Sequence, residues 1–319
     1  MDGILIIDKP AGFTSHDVVA KTRGILKTKR VGHTGTLDPF ATGVMVILVG
    51  KATRLAQFLD KDVKEYEATI CFGFETDTGD LTGKPKAEKE NQRTVSIADI
   101  ENVLPEFRGE IQQTPPMYSA KKIEGKKLYE LARQGVEIER KAVKVNIYEL
   151  EIIDVKDNEN QPRINADDTD LTNQDQGANI KDQITIRVVC SAGTYIRTLA
   201  EEIGRKVGVG AHLTQLRRTV AGKFDLSKAV TLGRLEETVS ENKLNEIFVS
   251  MNEAVSHLPE VKLSAEEVLK VKNGMKLKFE SEIFNDDQPV RLTDENDNLI
   301  AIGFYRSEQK FIQPKTVLL

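Results

Sequence analysis

Asp38 is the residue whose setting most suggests chemistry in this 319-residue chain. It lies in Gly32-His33-Thr34-Gly35-Thr36-Leu37-Asp38-Pro39, a Gly- and Thr-rich loop that runs into the apolar stretch Val44–Val49. Pro39 keeps Asp38 away from helical geometry. A carboxylate at the lip of a buried strand is hydrated as a turn cap, paired with a cation, or catalytic. Gly32 and Gly35 have a spacing that could cradle a phosphate, but no Gly-Lys-Ser/Thr follows, so a P-loop is not indicated. Arg197 falls in the first turn of a predicted helix, where the helix dipole disfavours a cation. A specific anionic partner is therefore expected, and Asp38 is one candidate. A surface arginine and a phosphate contact are the other readings. An Asp–Arg pair would keep the carboxylate ionised and fixed in direction, as a nucleophile requires. The chain has no Trp, so Tyr66 and Tyr195 are among the few large faces that could stack on a base, if they are not ordinary half-buried aromatics.

Other chemistries find little support. Cys71 and Cys190 read as buried strand residues, and His16, His33, His212 and His257 lack ligand spacing. With no CxxC or HExxH, neither a zinc site nor a disulfide framework is expected, and a reducing compartment is the default. The N-terminus MDGILIIDKP has only a four-residue apolar run, and nowhere do eighteen apolar residues run together. A soluble cytoplasmic protein is the expectation.

The elements that must position these residues follow from pattern. Ile4–Ile7 reads as a strand, and Thr14 and Ser15 as N-caps of a helix whose face is Val18, Val19, Ile25 and Leu26. Val44–Val49 is a continuous apolar strand, followed by a short helix ending near Leu59. Tyr66, Ala68, Ile70 and Phe72 alternate with Glu67, Thr69 and Cys71 and predict a half-exposed strand. Helices are predicted over 96–104 and 128–134, and strands over 143–155 and Ile184–Val189. A further helix buries Ile196, Leu199, Ala200 and Ile203 and ends at Gly208. The stretches 84–94 and 156–182 are polar, and the second reads as a surface insertion. From about residue 258 one helix ending at Gly274 and four brief strands form a small β-rich C-terminal domain. Without regular βαβ alternation the fold class is α+β, with a mixed, largely antiparallel sheet.

A net charge of −5 argues on its face against a polyanionic partner. The charge is uneven. Residues 149–182 hold ten acids and three bases, whereas 1–60 carry eight bases against five acids, 108–147 nine against five, and 183–228 eight against three. Three basic segments could converge on one phosphate-binding face, or could each be a solvated surface.

Taken together, several segments closely resemble the TruB family of bacterial tRNA pseudouridine-55 synthases. They are Asp8–Asp17 (DKPAGFTSHD), Gly32–Gly43 (GHTGTLDPFATG), Lys64–Glu67 (KEYE), Pro115–Lys122 (PPMYSAKK), Gly193–Leu199 (GTYIRTL), and Gly210–His212 through Leu216-Arg217-Arg218. They occur in family order over roughly residues 1–225, and the Gly32–Gly43 block is the most specific.

The resemblance implies isomerisation of one uridine in the tRNA T-arm loop, with neither metal nor organic cofactor. Asp38 matches the family's essential aspartate, Tyr66 the tyrosine that stacks on the extruded uracil, and Arg197 the arginine paired with the aspartate. His33, Tyr195 and Leu216 match positions that contact RNA or the flipped nucleotide, and Lys9 and Pro10 a structural motif. It implies a catalytic domain over 1–250, interrupted by the acidic insertion 156–182, and a PUA-like RNA-binding domain over 258–319. The expected partner is the T-arm stem-loop of tRNA. No membrane and no obligatory protein or guide-RNA partner are expected, and the chain is expected to act as a monomer. Three rivals are a non-catalytic RNA-binding module of the same fold, an Asp-nucleophile hydrolase or phosphotransferase helped by Thr42 or Lys51, and a related enzyme working in a guide-RNA complex.

Overall fold

The computed structural model describes residues 1–60, 63–86, 95–119, 121–123, 125–136, 138–156 and 183–318. The acidic stretch expected over 156–182, apart from Lys156, and residues 87–94 of the expected polar loop lie outside the described residues. In chain order the elements are β1 (Gly3–Lys9), α1 (Ser15–Leu26), β2 (Val31–Thr34), β3 (Thr42–Val49), α2 (Ala56–Leu59), β4 (Lys64–Phe72), α3 (Ile97–Val103), β5 (Gly109–Gln113), the two-residue pair β6 (Lys122–Ile123) and β7 (Lys126–Lys127), and α4 (Leu128–Arg133). They continue as β8 (Val143–Lys156), β9 (Gln183–Cys190), α5 (Ile196–Val207), β10 (Ala211–Ala221), β11 (Phe224–Asp225), α6 (Leu232–Ser240), α7 (Met251–Ala254), β12 (Glu260–Lys262), α8 (Ala265–Lys272), β13 (Leu277–Lys278), β14 (Pro289–Thr293), β15 (Leu299–Arg306) and β16 (Phe311–Val317).

The chain forms two compact units, one of residues 1–62 with 220–319 and the other of residues 63–219. In the first, β1 pairs antiparallel with β3 from Gly3↔Val49 to Lys9↔Gly43, and β2 pairs along β3. Because successive strand residues point to opposite faces, an uninterrupted apolar run must be covered on both sides. It is. Ile4 and Ile6 join Val46, Leu48, Leu55 and Phe224 on one face, while Leu5 and Ile7 join Val18, Val19, Ile47 and Leu235 on the other. The C-terminal sheet runs β12-β14-β15-β16-β13 around its own core of Val271, Val290, Leu292, Tyr305 and Ile312. Its Leu299, Ile302 and Leu318 pack into the cluster of Ile4 and Ile6. The four strands after Gly274 match the expectation, whereas β12 ahead of the helix was not foreseen. It is three residues long, and only Val261 of them is apolar. It joins the sheet parallel to β14.

In the second unit β10, β4, β9, β8 and β5 lie side by side in that order. The pairs β4–β9, β9–β8 and β8–β5 are antiparallel. β4 departs from its predicted half-exposed pattern, because from Ala68 onward both faces are buried. Thr69 and Cys71 tolerate this, Thr69 by sharing a hydrogen bond with Thr185 Oγ1 at 3.1 Å. Cys71 and Cys190 are both buried, and neither is in a disulfide. α5 buries Ile196, Leu199, Ala200 and Ile203, as their spacing predicts, and ends at Gly208 in the left-handed conformation (φ 91°). Among the described residues no helix is long and apolar enough to cross a membrane.

The approach of α5 to the start of β10 requires a glycine. A Cβ built on Gly204 would lie 2.4 Å from both the nitrogen and the Cβ of Ala211. Alanine is the better helix former by about 1 kcal/mol. Forcing backbone apart in a packed core costs roughly 1–3 kcal/mol, so the clash outweighs the propensity. Gly204→Ala is expected to lower the urea midpoint followed by circular dichroism. An unchanged or raised midpoint would show that the helix and strand separate cheaply.

Candidate active site

One loop in each compact unit is tied down by a buried side chain, that of Asp38 in the first and that of residues 78–82 beside Arg197 in the second. His33 and Asp38 belong to the first unit, and Tyr66, Tyr195, Arg197 and Leu216 to the second.

The Asp38 loop is pinned through the backbone on both sides of the carboxylate. α1 begins with a capping box in which Thr14 Oγ1 accepts from Asp17 N–H at 3.0 Å and Thr14 N–H donates to Asp17 Oδ2 at 2.9 Å. This fixes the next residue, Ser15, whose hydroxyl accepts from Leu37 N–H at 2.9 Å and donates to Leu37 C=O at 3.1 Å. On the far side, Lys9 donates from Nζ to Pro39 C=O at 3.1 Å and to Pro10 C=O at 2.9 Å. Gly12 N–H adds a 2.8 Å bond to the same Pro39 carbonyl, and Ala41 N–H donates to Asp38 C=O at 3.1 Å. The Lys9 side chain is fully buried. An ammonium in that position is tolerable because carbonyl oxygens replace its water. The motif residues Lys9 and Pro10 therefore act on the loop's shape. Asp38 is left half-buried between an anchored Leu37 and an anchored Pro39. His33 sits half-buried on β2, opposite Ile47 of β3.

The second loop is organised by Arg197. Its side chain is 6 % exposed, and that of Asp80 is 5 %. Nη1 donates to Thr78 C=O at 2.7 Å and stands 3.4 Å from Asp80 Oδ2. Nη2 donates to Tyr118 C=O at 2.6 Å. Asp80 Oδ1 in turn accepts from the Thr78 hydroxyl, the Thr82 hydroxyl and Thr82 N–H. Gly79, at φ 74°, lets the loop pass the arginine, since a Cβ there would lie 3.3 Å from Arg197 Cβ. The dipole argument asked for an anion beside Arg197, and Asp80 is one. It escaped the sequence reading, although an Asp with Thr two residues away on either side and Gly before it is a local signal for a carboxylate held by hydroxyls.

The remaining candidates lie on β4, on β10 and at the start of α5. Tyr66 is buried on β4 opposite Val188 of β9. Tyr195 is half-buried at the N-cap of α5, and Leu216 is buried on β10. The ring of His212 on β10 packs tilted by 37° against that of Phe74 at 4.5 Å between centroids, and its Nδ1 lies 3.1 Å from Phe74 C=O. Burial lowers its pKa, which disfavours the charged imidazolium. Burial likewise pushes the Cys190 thiol up to about 11, which removes it as a thiolate nucleophile.

The Lys51 form of the phosphotransferase reading meets the geometry badly. Lys51, a helper for a phosphotransferase, is tied to Asp2 by its backbone N–H at 2.6 Å. It lies beyond the other end of β3 from the Asp38 loop, roughly 23 Å away at 3.3 Å per strand residue. The basic excess of 183–228 is also partly matched within the fold. Arg187 meets Glu65, Glu149 and Glu151, Arg205 meets Glu75, and Lys206 meets Glu106. Among the described residues no group of three or more His, Cys, Asp or Glu is placed to hold a metal ion.

Comparison with known proteins agrees along the whole chain. Residues 23–196 match the TruB family pseudouridylate synthase N-terminal domain, and residues 197–256 the tRNA pseudouridylate synthase B C-terminal domain. The tRNA pseudouridine synthase B of Bacillus cytotoxicus is 40% identical over 100% of this chain and 98% of its own. That of Geobacillus thermodenitrificans is 43% identical over 92% of this chain and 91% of its own. Among solved structures, a Cbf5-Nop10-Gar1 complex includes a chain that superposes with a TM-score of 0.72 at 27% identity, covering 99% of this chain and 85% of that one. An H/ACA RNP bound to a substrate RNA containing 2'-deoxyuridine gives 0.71 at 26%, with the same coverage. With its loops arranged as described and its relatives matched from end to end, the chain belongs to the TruB family of pseudouridylate synthases.

Proposed function

We propose that this protein converts one uridine of the tRNA T-arm loop, position 55, to pseudouridine, acting on the RNA without a protein or guide-RNA partner. The observation that carries this reading is the full-length match to relatives named tRNA pseudouridine synthase B. Their identity of 40–42% over the whole chain favours the stand-alone enzyme over the guide-RNA reading, since the H/ACA proteins stand at 26–27%.

The chemistry is an isomerisation. The N1–C1′ bond breaks, the uracil turns, a C5–C1′ bond forms, the C5 proton leaves and N1 regains one. Atoms and electrons balance within one nucleotide, so the reaction calls for no cofactor and no redox partner. A uridine in a folded loop must first be extruded, at a cost of a few kcal/mol. Stacking on an aromatic ring returns roughly 1–3 kcal/mol, and Tyr66 is the ring assigned to that role. Asp38 supplies the carboxylate that drives cleavage of the glycosidic bond. Arg197 pairs with it and keeps it ionised and aimed. His33, Tyr195 and Leu216 contact the RNA around the flipped nucleotide. Holding the detached uracil in a closed site keeps recombination effectively unimolecular. The catalytic part spans 1–250, and the C-terminal sheet of 258–319 serves as a PUA-like grip on the RNA by shape and phosphate contacts. The protein acts in the cytoplasm as a monomer.

Asp38→Asn is expected to abolish pseudouridine formation in a T-arm stem-loop while leaving RNA affinity within about threefold, because the isostere removes charge and little contact area. Product from the purified variant would refute the assignment. Arg197→Met is expected to cut turnover by at least about 100-fold, since it removes a buried charge that acts as a unit with the aspartate. Comparing that loss with the fraction folded by circular dichroism separates chemistry from stability. A folded, fully active variant would remove the ion pair from the mechanism.

A further inference from the structure

Gln113 closes β5 and is fully buried. Its carboxamide bonds both backbone groups of a residue 82 positions away. Tyr195 N–H donates to Oε1 at 2.7 Å, and Nε2 donates to Tyr195 C=O at 3.0 Å. The side chain thereby makes the paired bonds that a strand neighbour would make. Tyr195 is the N-cap of α5, and no side chain of its own caps the helix. The usual local anchor, a Ser, Thr, Asp or Asn at that position, is absent. Two residues further on, Arg197 donates to Tyr118 C=O. The segment 113–118 is therefore tied to the start of α5 at two points, one by an amide and one by a guanidinium.

We infer that Gln113 is a positioning residue: by bonding both backbone groups of Tyr195 it fixes the first turn of α5 and so the direction in which Tyr195 and Arg197 are presented. The inference rests on the function proposed above, in which those two side chains serve the flipped uridine. The residue type is dictated by the task. A planar amide offers a donor and an acceptor side by side without charge. An ionised glutamate only accepts, and a methionine of similar length does neither. Without the amide, Tyr195 N–H loses the Gln113 bond and Tyr195 C=O keeps the helical bond from Leu199 N–H, so the turn is held less firmly. Small displacements of positioning groups are costly to rate even far from the reacting atoms.

The test uses the full chain with Gln113→Met and Gln113→Glu, and Gln112→Met as the exposed neighbouring control. Single-turnover conversion of a T-arm stem-loop and equilibrium binding of the same RNA are measured together. Both Gln113 variants are expected to lose roughly 10- to 100-fold in rate, with RNA affinity within about threefold and the control at the parent rate. Folded variants that convert at the parent rate would overturn the inference, as would a rate loss matched by an equal loss of folded protein. If the methionine variant does not fold, the glutamate variant, which keeps the acceptor toward Tyr195 N–H, decides. Hydrogen exchange at the Tyr195 amide needs no activity. It is expected to quicken in the variants, and unchanged protection would equally overturn the role. A parent chain that converts no RNA would overturn the proposed function instead, and the exchange measurement would still decide Gln113.

Discussion

A guanidinium removed from water must be bonded on every side or it unfolds the site around it. Arg197 imposes that demand on the second compact unit. Two carbonyls from separate loops, Thr78 and Tyr118, and the Asp80 carboxylate are among its partners. Each partner then needs support of its own. Asp80 is held by Thr78 and Thr82, and the loop turns past the arginine at Gly79. Removing one partner of such a set costs more than its own bond, because the others lose their counter-charge. The cation is thus both a candidate functional group and the node that orders three stretches of chain far apart in sequence.

The first unit fixes the backbone that carries a carboxylate from both sides. Ser15 and Lys9 grip the backbone at Leu37 and Pro39, and β1 and β3 beneath are buried on both faces. A side chain carried on such a loop keeps its direction while it stays partly open to a ligand. That is the arrangement a nucleophile or an electrostatic stabiliser requires. Rigidity here comes from a serine and a lysine with no part in the proposed bond-making.

Much of this was legible in the sequence. Apolar runs, caps and the Pro39 constraint located the Asp38 loop. The helix boundary at Tyr195 placed Arg197 where the dipole makes a cation conspicuous. What could not be read was tertiary. That Asp80 lies beside Arg197 depends on a loop more than a hundred residues earlier. Nothing local marks Gln113 as more than a polar residue ending a short strand. The alternation in β4 predicted one exposed face, and it failed because Thr69 and Cys71 are small enough to be buried between flanking strands. The three residues of β12 are too few and too polar to read as a strand, and the sheet beside them supplies the pairing. The charge count of 183–228 overstated the cations open to RNA, because pairing with distant glutamates is invisible to a running sum.

The central claim is that this chain alone isomerises a defined uridine of tRNA. Its most direct test is incubation of an unmodified tRNA transcript with the purified protein and no other macromolecule, followed by mapping of pseudouridine along the RNA. The account predicts conversion at the single T-arm loop position. Pseudouridine only elsewhere in the transcript, or none until a second protein or RNA is added, would contradict it.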